Sequence, residues 1–140
     1  MHQLHPQLAK DCEVIAEAEL CSLLLMNDAN YPWCILVPRR EGVSELYQLS
    51  ESDQQQFMRE SSQLARSMMQ AFGGDKMNIG ALGNVVPQLH VHHIVRYRTD
   101  PAWPAPVWGK LPARAYTAQQ RDEVVSRLKA VLQNEFEFTE

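Results

Sequence analysis

The sequence predicts an α+β domain: an antiparallel sheet of about five strands with one long central helix and a C-terminal helix. Three observations lead there. Short apolar or alternating runs crowd residues 13–38, one long amphipathic helical pattern occupies residues 51–72, and two further extended runs precede a last helical pattern. Strands and helices thus come in blocks and not as repeating strand–helix units, which argues for α+β over a parallel α/β sheet. The 140 residues suit one domain spanning 1–140.

The elements follow in order. Residues 6–11 form a short helical turn after His5-Pro6. Extended segments cover about 13–18 and 20–27, and Asp28-Ala-Asn-Tyr-Pro32 turns the chain. Trp33-Cys-Ile-Leu-Val-Pro38 is an apolar strand stopped by proline, completing a hairpin. The long helix runs from Glu51 to Phe72, capped by Ser50, with Asp53 at the box position that prefers Glu or Gln. Phe57, Leu64, Met68 and Phe72 line its apolar face, and Gly73-Gly74 ends it. Further strands cover about 75–80 and 88–97. The stretch 100–109 holds three prolines and two tryptophans, and reads as stiff, irregular and surface-lying. Thr117 with Gln120 then caps a helix whose apolar side is Val124, Val125, Leu128, Val131 and Leu132.

Composition excludes several classes. A net charge of −4 argues against a broad nucleic-acid-coating face. The amino terminus lacks a signal-peptide pattern, and the longest apolar run, Leu20 to Met26, is far short of the roughly 20 residues a membrane helix needs. Cys12, Cys21 and Cys34 are odd in number with no CxxC spacing, which fits buried thiols in a reducing cytoplasm better than disulfides or a thiolate zinc site. Residues 80–87 have too few glycines, wrongly spaced, for a phosphate-cradling or dinucleotide fingerprint.

The informative stretch is Pro87-Gln-Leu-His-Val-His-His-Ile-Val-Arg96, holding three of the chain's five histidines. In a strand, side chains alternate, so Gln88, His90, His92, Ile94 and Arg96 share one face and Leu89, Val91, His93 and Val95 the other. His93, among apolar neighbours, reads as a hydrogen-bonded packing residue. For the His90/His92 pair three readings stand. A zinc site would need further ligands, which do not follow at a convincing spacing. A purely structural pair would be costly to bury, because the rings repel when charged and need partners when neutral. As a catalytic pair, one imidazole can attack an electrophile while the other donates hydrogen bonds to developing charge.

The run Gln88-x-His90-x-His92, followed by apolar residues and Arg96, resembles the signature of the HIT (histidine triad) family of nucleotide hydrolases and transferases, His-φ-His-φ-His-φ-φ with φ apolar. Gln88 then takes the place of the first histidine, His90 the second and His92 the third. Asn78-Ile-Gly80 and Gly83-Asn84 resemble the family's Asn-x-Gly and Gly-Gln pieces, and Leu24 to Arg39 resembles its nucleotide-pocket hairpin. The resemblance covers about residues 10–110.

It implies a HIT-like fold and a catalytic set of His90, His92 and Gln88. His90 would attack the α-phosphorus of a nucleotide to give a nucleotidyl-imidazole, with His92 donating to the phosphoryl oxygens. Asn78 and Asn84 would contact phosphate or ribose, and Asp28 or Asn27 the ribose hydroxyls. Leu24, Met26 and Ile35 are candidate walls for the base. The expected substrate is a small nucleotide derivative, the expected partner a second copy in a homodimer, with no nucleic acid, no membrane, no metal and no cofactor. Three departures bear on activity. Gln88 cannot relay a proton, Val85 cannot donate where many members carry Ser or Thr, and Asn84 shortens a phosphate contact. They sustain a competing reading, a nucleotide-binding or regulatory protein with little turnover. Arg96 and Arg98 read either as phosphate-steering or as solvated strand-end residues. His2 and His5 read as inert, and Trp103 or Trp108 as a tail anchor or as a contact to a partner's site.

Overall fold

The structure, a computed structural model, describes residues 2–132 and 134–139. Its elements are α1 (Pro6–Asp11), β1 (Cys12–Glu17), β2 (Cys21–Met26), β3 (Trp33–Pro38), α2 (Glu51–Phe72), β4 (Lys76–Gly80), β5 (Val91–Arg96), α3 (Ala118–Val131) and β6 (Glu137–Phe138). The strands form one antiparallel sheet in the order β4-β5-β3-β2-β1-β6. The α+β class and the long helix are as the sequence predicts. The added strand, β6, pairs only Phe138 with Ala16 and Glu137 with Glu17, too short a run to carry an alternation.

β5 begins later than its alternation suggests. Pro87 has no N–H to give, and the Leu89 N–H goes to Val43 O at 3.0 Å, so sheet pairing starts at Val91. Both helix caps are local. Ser50 Oγ accepts from Asp53 N at 3.1 Å, but the Asp53 carboxylate pairs with Arg40 and closes no box. Thr117 and Gln120 do close one on α3. Gly73, at φ +58°, turns the end of α2, and Gly74 then passes so close to β5 that a Cβ there would lie 2.3 Å from the Val95 side chain.

Two apolar layers cover the sheet. On one face Leu23, Leu25, Leu36, Val91 and Val95 meet Phe57, Leu64 and Met68 of α2 and Leu128 and Leu132 at α3. The other face holds Leu24, Trp33, Ile35, Val37 and Ile94, covered by Leu8 of α1 and by Ala102 and Val107. The proline-rich stretch is therefore not surface-lying: it buries Ala102 and Val107 and roofs this second face. Glu60 of α2 is fully buried with no ion-pair partner among the described residues. Its carboxylate accepts from Leu20 N at 2.8 Å, Cys21 N at 3.0 Å and Gln56 Nε2 at 2.7 Å, pinning the β1–β2 turn to the helix. Among the described residues no helix is long and apolar enough to cross a membrane.

Candidate functional site

The three histidines divide as alternation dictates. His93 turns to the helix face, where its Nδ1 lies 3.0 Å from Val91 O and its Nε2 2.7 Å from Ser61 Oγ of α2. A carbonyl only accepts, so the proton sits on Nδ1 and Ser61 donates to Nε2. Both nitrogens are satisfied within the chain. Burial lowers the ring's pKa to about 4, partly opposed by the Val91 carbonyl.

His90 and His92 turn to the opposite face with ring centroids 5.0 Å apart, edge to face. Their neighbours impose opposite tautomers. His90 Nδ1 lies 2.7 Å from Gln88 O, which must accept, so Nδ1 carries the proton and the lone pair is on Nε2. Nε2 has no hydrogen-bond partner among the described residues. His92 Nδ1 lies 3.0 Å from the indole nitrogen of Trp33, which can only donate. His92 Nδ1 is therefore bare, and its proton sits on Nε2. Burial first, then the neighbouring His90 and His93, push the His92 pKa down to about 3, so the ring is neutral throughout the physiological range.

The walls are aromatic. Trp33 lies edge-on to His92 at 5.6 Å, and Trp108 does so at 5.4 Å. Trp108 also rests on Gly80, where a Cβ would meet its ring at 3.0 Å. Gly80 pairs with His92 across β4–β5, so a side chain there would push Trp108 off the histidine. Trp108 thus stands against the site of its own chain. Its Nε1 is buried without a partner among the described residues.

Gln88 spends its side chain elsewhere. Its Oε1 accepts from His5 N at 2.7 Å, and its Nε2 donates to Gln3 O at 2.9 Å and lies 3.2 Å from His2 Nε2. His2 and His5 are accordingly not idle: the first reaches Gln88, and the second caps α1 by accepting from Gln7 N. Arg96 is neither solvated nor free to steer a phosphate. It is 1% exposed, its Nε and Nη2 fork onto Asp100 at 2.8 and 3.0 Å, its Nη1 donates to Asn78 Oδ1 at 2.8 Å, and Tyr31 and Trp103 flank the guanidinium. Burial pushes the Asp100 carboxyl up, but the bonds from Arg96 and from the Tyr97 and Ala102 N–H groups outweigh it and hold the group below its usual range.

The hairpin residues bind their own chain. Asn27 Oδ1 accepts from Tyr116 N at 2.9 Å. Asp28, buried, takes Asn30 N and Arg114 N on Oδ1, which leaves Oδ2 without a partner among the described residues. Leu24 and Ile35 are wholly buried and Met26 half-buried. Asn84 and Val85 lie exposed in the loop before Pro87. Burial drives the Cys12 thiol up to about 12 and those of Cys21 and Cys34 higher still, so none is poised as a nucleophile. Among the described residues no three His, Cys, Asp or Glu side chains converge as metal ligands.

A cavity of about 690 Å³ lies between residues 2–6, the 40–44 loop and Gln88, and neither His90 nor His92 lines it. A small cleft of about 10 Å³ between the 44–45 and 81–83 loops also touches His90. Sequence reasoning had no signal for the Trp33–His92 bond. It joins strands far apart in the chain and needs the β3–β5 register to become visible.

Comparison with known proteins agrees with this fold. The HIT domain profile matches residues 7–99. A histidine triad protein from Marinobacter aquaeolei VT8 is 54% identical, with a TM-score of 0.94 over 96% of this chain and 98% of its own. One from Bradyrhizobium japonicum is 43% identical, with a TM-score of 0.92 over 94% of this chain and 98% of its own. A hypothetical histidine triad nucleotide-binding protein from Sulfolobus tokodaii strain7 is 13% identical, with a TM-score of 0.67 over 91% of this chain and 89% of its own, a likeness of fold alone. No curated protein matches the chain significantly. Profile, close relatives and the paired histidines on β5 agree: the chain belongs to the histidine triad (HIT) family.

Proposed function

We propose that this chain is a nucleotide hydrolase or nucleotidyl transferase acting at the α-phosphate of a nucleotide derivative through a covalent intermediate on His90. One observation carries the reading: the Nδ1 proton of His90 is held by the Gln88 carbonyl, and the Nε2 lone pair has no partner among the described residues. That lone pair attacks phosphorus, an N–P bond forms, and the P–O bond to the leaving group breaks with its electrons going to oxygen. The imidazole then carries positive charge, which the Gln88 carbonyl stabilises through the Nδ1–H bond. Water attacks next, the N–P electrons return to Nε2, the water's proton passes to bulk solvent, and the nucleotide leaves.

His92, neutral with its proton on Nε2, donates to the phosphoryl oxygens as charge builds there. Neutrality matters because two imidazolium rings 5.0 Å apart would repel by about 3 kcal/mol at an effective dielectric of about 20. Asp28 Oδ2 would take a ribose hydroxyl, and Asn78, whose oxygen accepts from Arg96, would offer its amide N–H groups to substrate. Asn84, exposed before the strand, would contact phosphate. Val85 brings no donor, which favours an anhydride such as a dinucleoside polyphosphate, whose phosphate leaves unprotonated, over a phosphoramidate, whose amine needs a proton. No cofactor enters these steps. The outer edge of β4, with Ile79 half-exposed and Leu82 and Val85 exposed next to it, supports a second copy as the partner.

The second reading, a binding protein with little turnover, draws on Gln88, which cannot relay a proton, and on Val85, which cannot donate to a leaving group. The test is to mix the protein with a dinucleoside polyphosphate labelled at the α-phosphate, quench in base, and look for label on protein. A labelled wild type and an unlabelled His90→Ala support the transferase. Tight binding with neither label nor product favours the binder.

A further inference from the structure

We propose that Trp33 is a positioning residue that fixes His92 with its proton on Nε2, so that His92 serves the site only as a neutral hydrogen-bond donor. The consequence for turnover rests on the nucleotidyl-transfer reading, whereas the tautomer stands without it. Trp33 opens β3 opposite Ile94, and Ile35 lies opposite His92. Trp33 is thus the diagonal neighbour of His92 on one sheet face, within reach for a long aromatic side chain. The indole nitrogen sits 3.0 Å from His92 Nδ1, with both residues buried.

The chemistry of the donor decides the outcome. An amide at this position could turn and offer its oxygen, and an imidazole could exchange its proton. An indole N–H has no acceptor form and cannot be reversed. Protonating His92 on Nδ1 would bring two N–H groups face to face with nothing between them to accept. The bond therefore opposes the cation in the same direction as burial does. Trp33 is itself wedged, with Tyr31 edge-on at 6.3 Å and His92 at 5.6 Å, so the indole cannot swing away without opening the second core. The other groups around His92 leave Trp33 as its tautomer-setting neighbour. His90 precedes it on the same face with Nδ1 committed to Gln88, His93 lies on the opposite face with both nitrogens committed, β4 offers Gly80, and Trp108 presents a non-titrating ring.

The test is the ¹⁵N long-range correlation spectrum of the full-length protein with ¹⁵N-labelled histidine, from pH 5 to 8. The expected pattern is opposite for the two rings: His92 with a bare Nδ1 and protonated Nε2 at every pH, and His90 with a protonated Nδ1. Trp33→Phe keeps an aromatic wall and removes the donor. His92 then shows mixed tautomers while staying neutral, because its burial and its histidine neighbours are unchanged, and kcat for the dinucleoside polyphosphate falls about tenfold with KM within about twofold. Trp33→His, which returns a ring N–H, recovers part of the tautomer and part of kcat. A wild-type His92 protonated on Nδ1 overturns the proposal even if Trp33→Phe does not fold, and so does a Trp33→Phe spectrum unchanged from wild type. A fixed His92 tautomer without turnover of any nucleotide upholds Trp33 and sinks the transferase reading instead.

Discussion

His92 and His93 are adjacent in sequence, buried on opposite faces of β5, and both held neutral well below the ordinary histidine range. They differ in what is left over. His93 has both nitrogens engaged, by Val91 O and Ser61 Oγ, and has nothing to offer a ligand. His92 has one nitrogen engaged by Trp33 and the other open, as does His90 with Gln88 on its side. Burial and a perturbed pKa therefore do not separate structure from function here; the unfilled hydrogen-bond position does. Each prediction below presses on that distinction.

The largest effect is expected at the open nitrogen. His90→Ala should lower kcat/KM for a dinucleoside polyphosphate by at least about 10³-fold while leaving the urea midpoint close to wild type. Retained turnover would end the case for His90 as nucleophile. Next comes a closed network on the same sheet face. Arg96→Met leaves Asp100 buried and unpaired, and should cost about 3–5 kcal/mol in urea denaturation. If the loss is under about 1 kcal/mol, the Arg96–Asp100 pair does not organise the turn that roofs the site.

The two histidines together set an acid sensitivity. Their folded pKa values, about 3 for His92 and about 4 for His93, lie below the unfolded value of 6.5. The unfolded chain takes up both protons as pH drops below 6.5 and the folded chain does not. Stability is accordingly full above pH 6.5, falls as pH falls by up to about 2.7 kcal/mol per unit between roughly 6 and 4, and levels off below the folded values. His93→Gln should halve that slope, as read from urea midpoints across the range. It should also remove about 1–3 kcal/mol outright, since Ser61 loses its buried partner, yet leave kcat per folded molecule within about twofold. A large fall in kcat for His93→Gln would mean the closed histidine is not merely structural.

How much of this was legible in the sequence follows from the range of each interaction. Alternation within one strand separates His93 from His90 and His92, because a period of two needs no partner. Local caps and a 3.6-residue stripe set the ends of α2 almost to the residue. What stayed hidden depends on the register between distant segments. Trp33 meets His92 through the β3–β5 pairing, Arg96 is buried between Tyr31 and Trp103 and not left at a strand end, and Asn27 and Asp28 hold residues 114–116. The sequence reads Gln88 as a triad position facing the site. Its amide is instead bound by residues 3 and 5, a contact across more than 80 positions that no local pattern encodes.

The smallest expected effect tests that last point. Gln88 acts in two ways: its carbonyl orients His90, and its amide anchors the arm that precedes α1. Only the second is a property of the side chain. Gln88→Ala keeps the carbonyl and removes the anchor, so it should cost about 1 kcal/mol of stability and reduce kcat less than tenfold. The decisive readout is hydrogen exchange at the His5 amide, whose 2.7 Å bond to Oε1 disappears in the variant. Loss of protection there with near-normal turnover assigns the amide to the arm. Turnover down by about 10³-fold with the His5 amide still protected would instead make the Gln88 side chain a third open group, acting on substrate beside His90 and His92. The division between closed and open groups would then have been drawn one residue short.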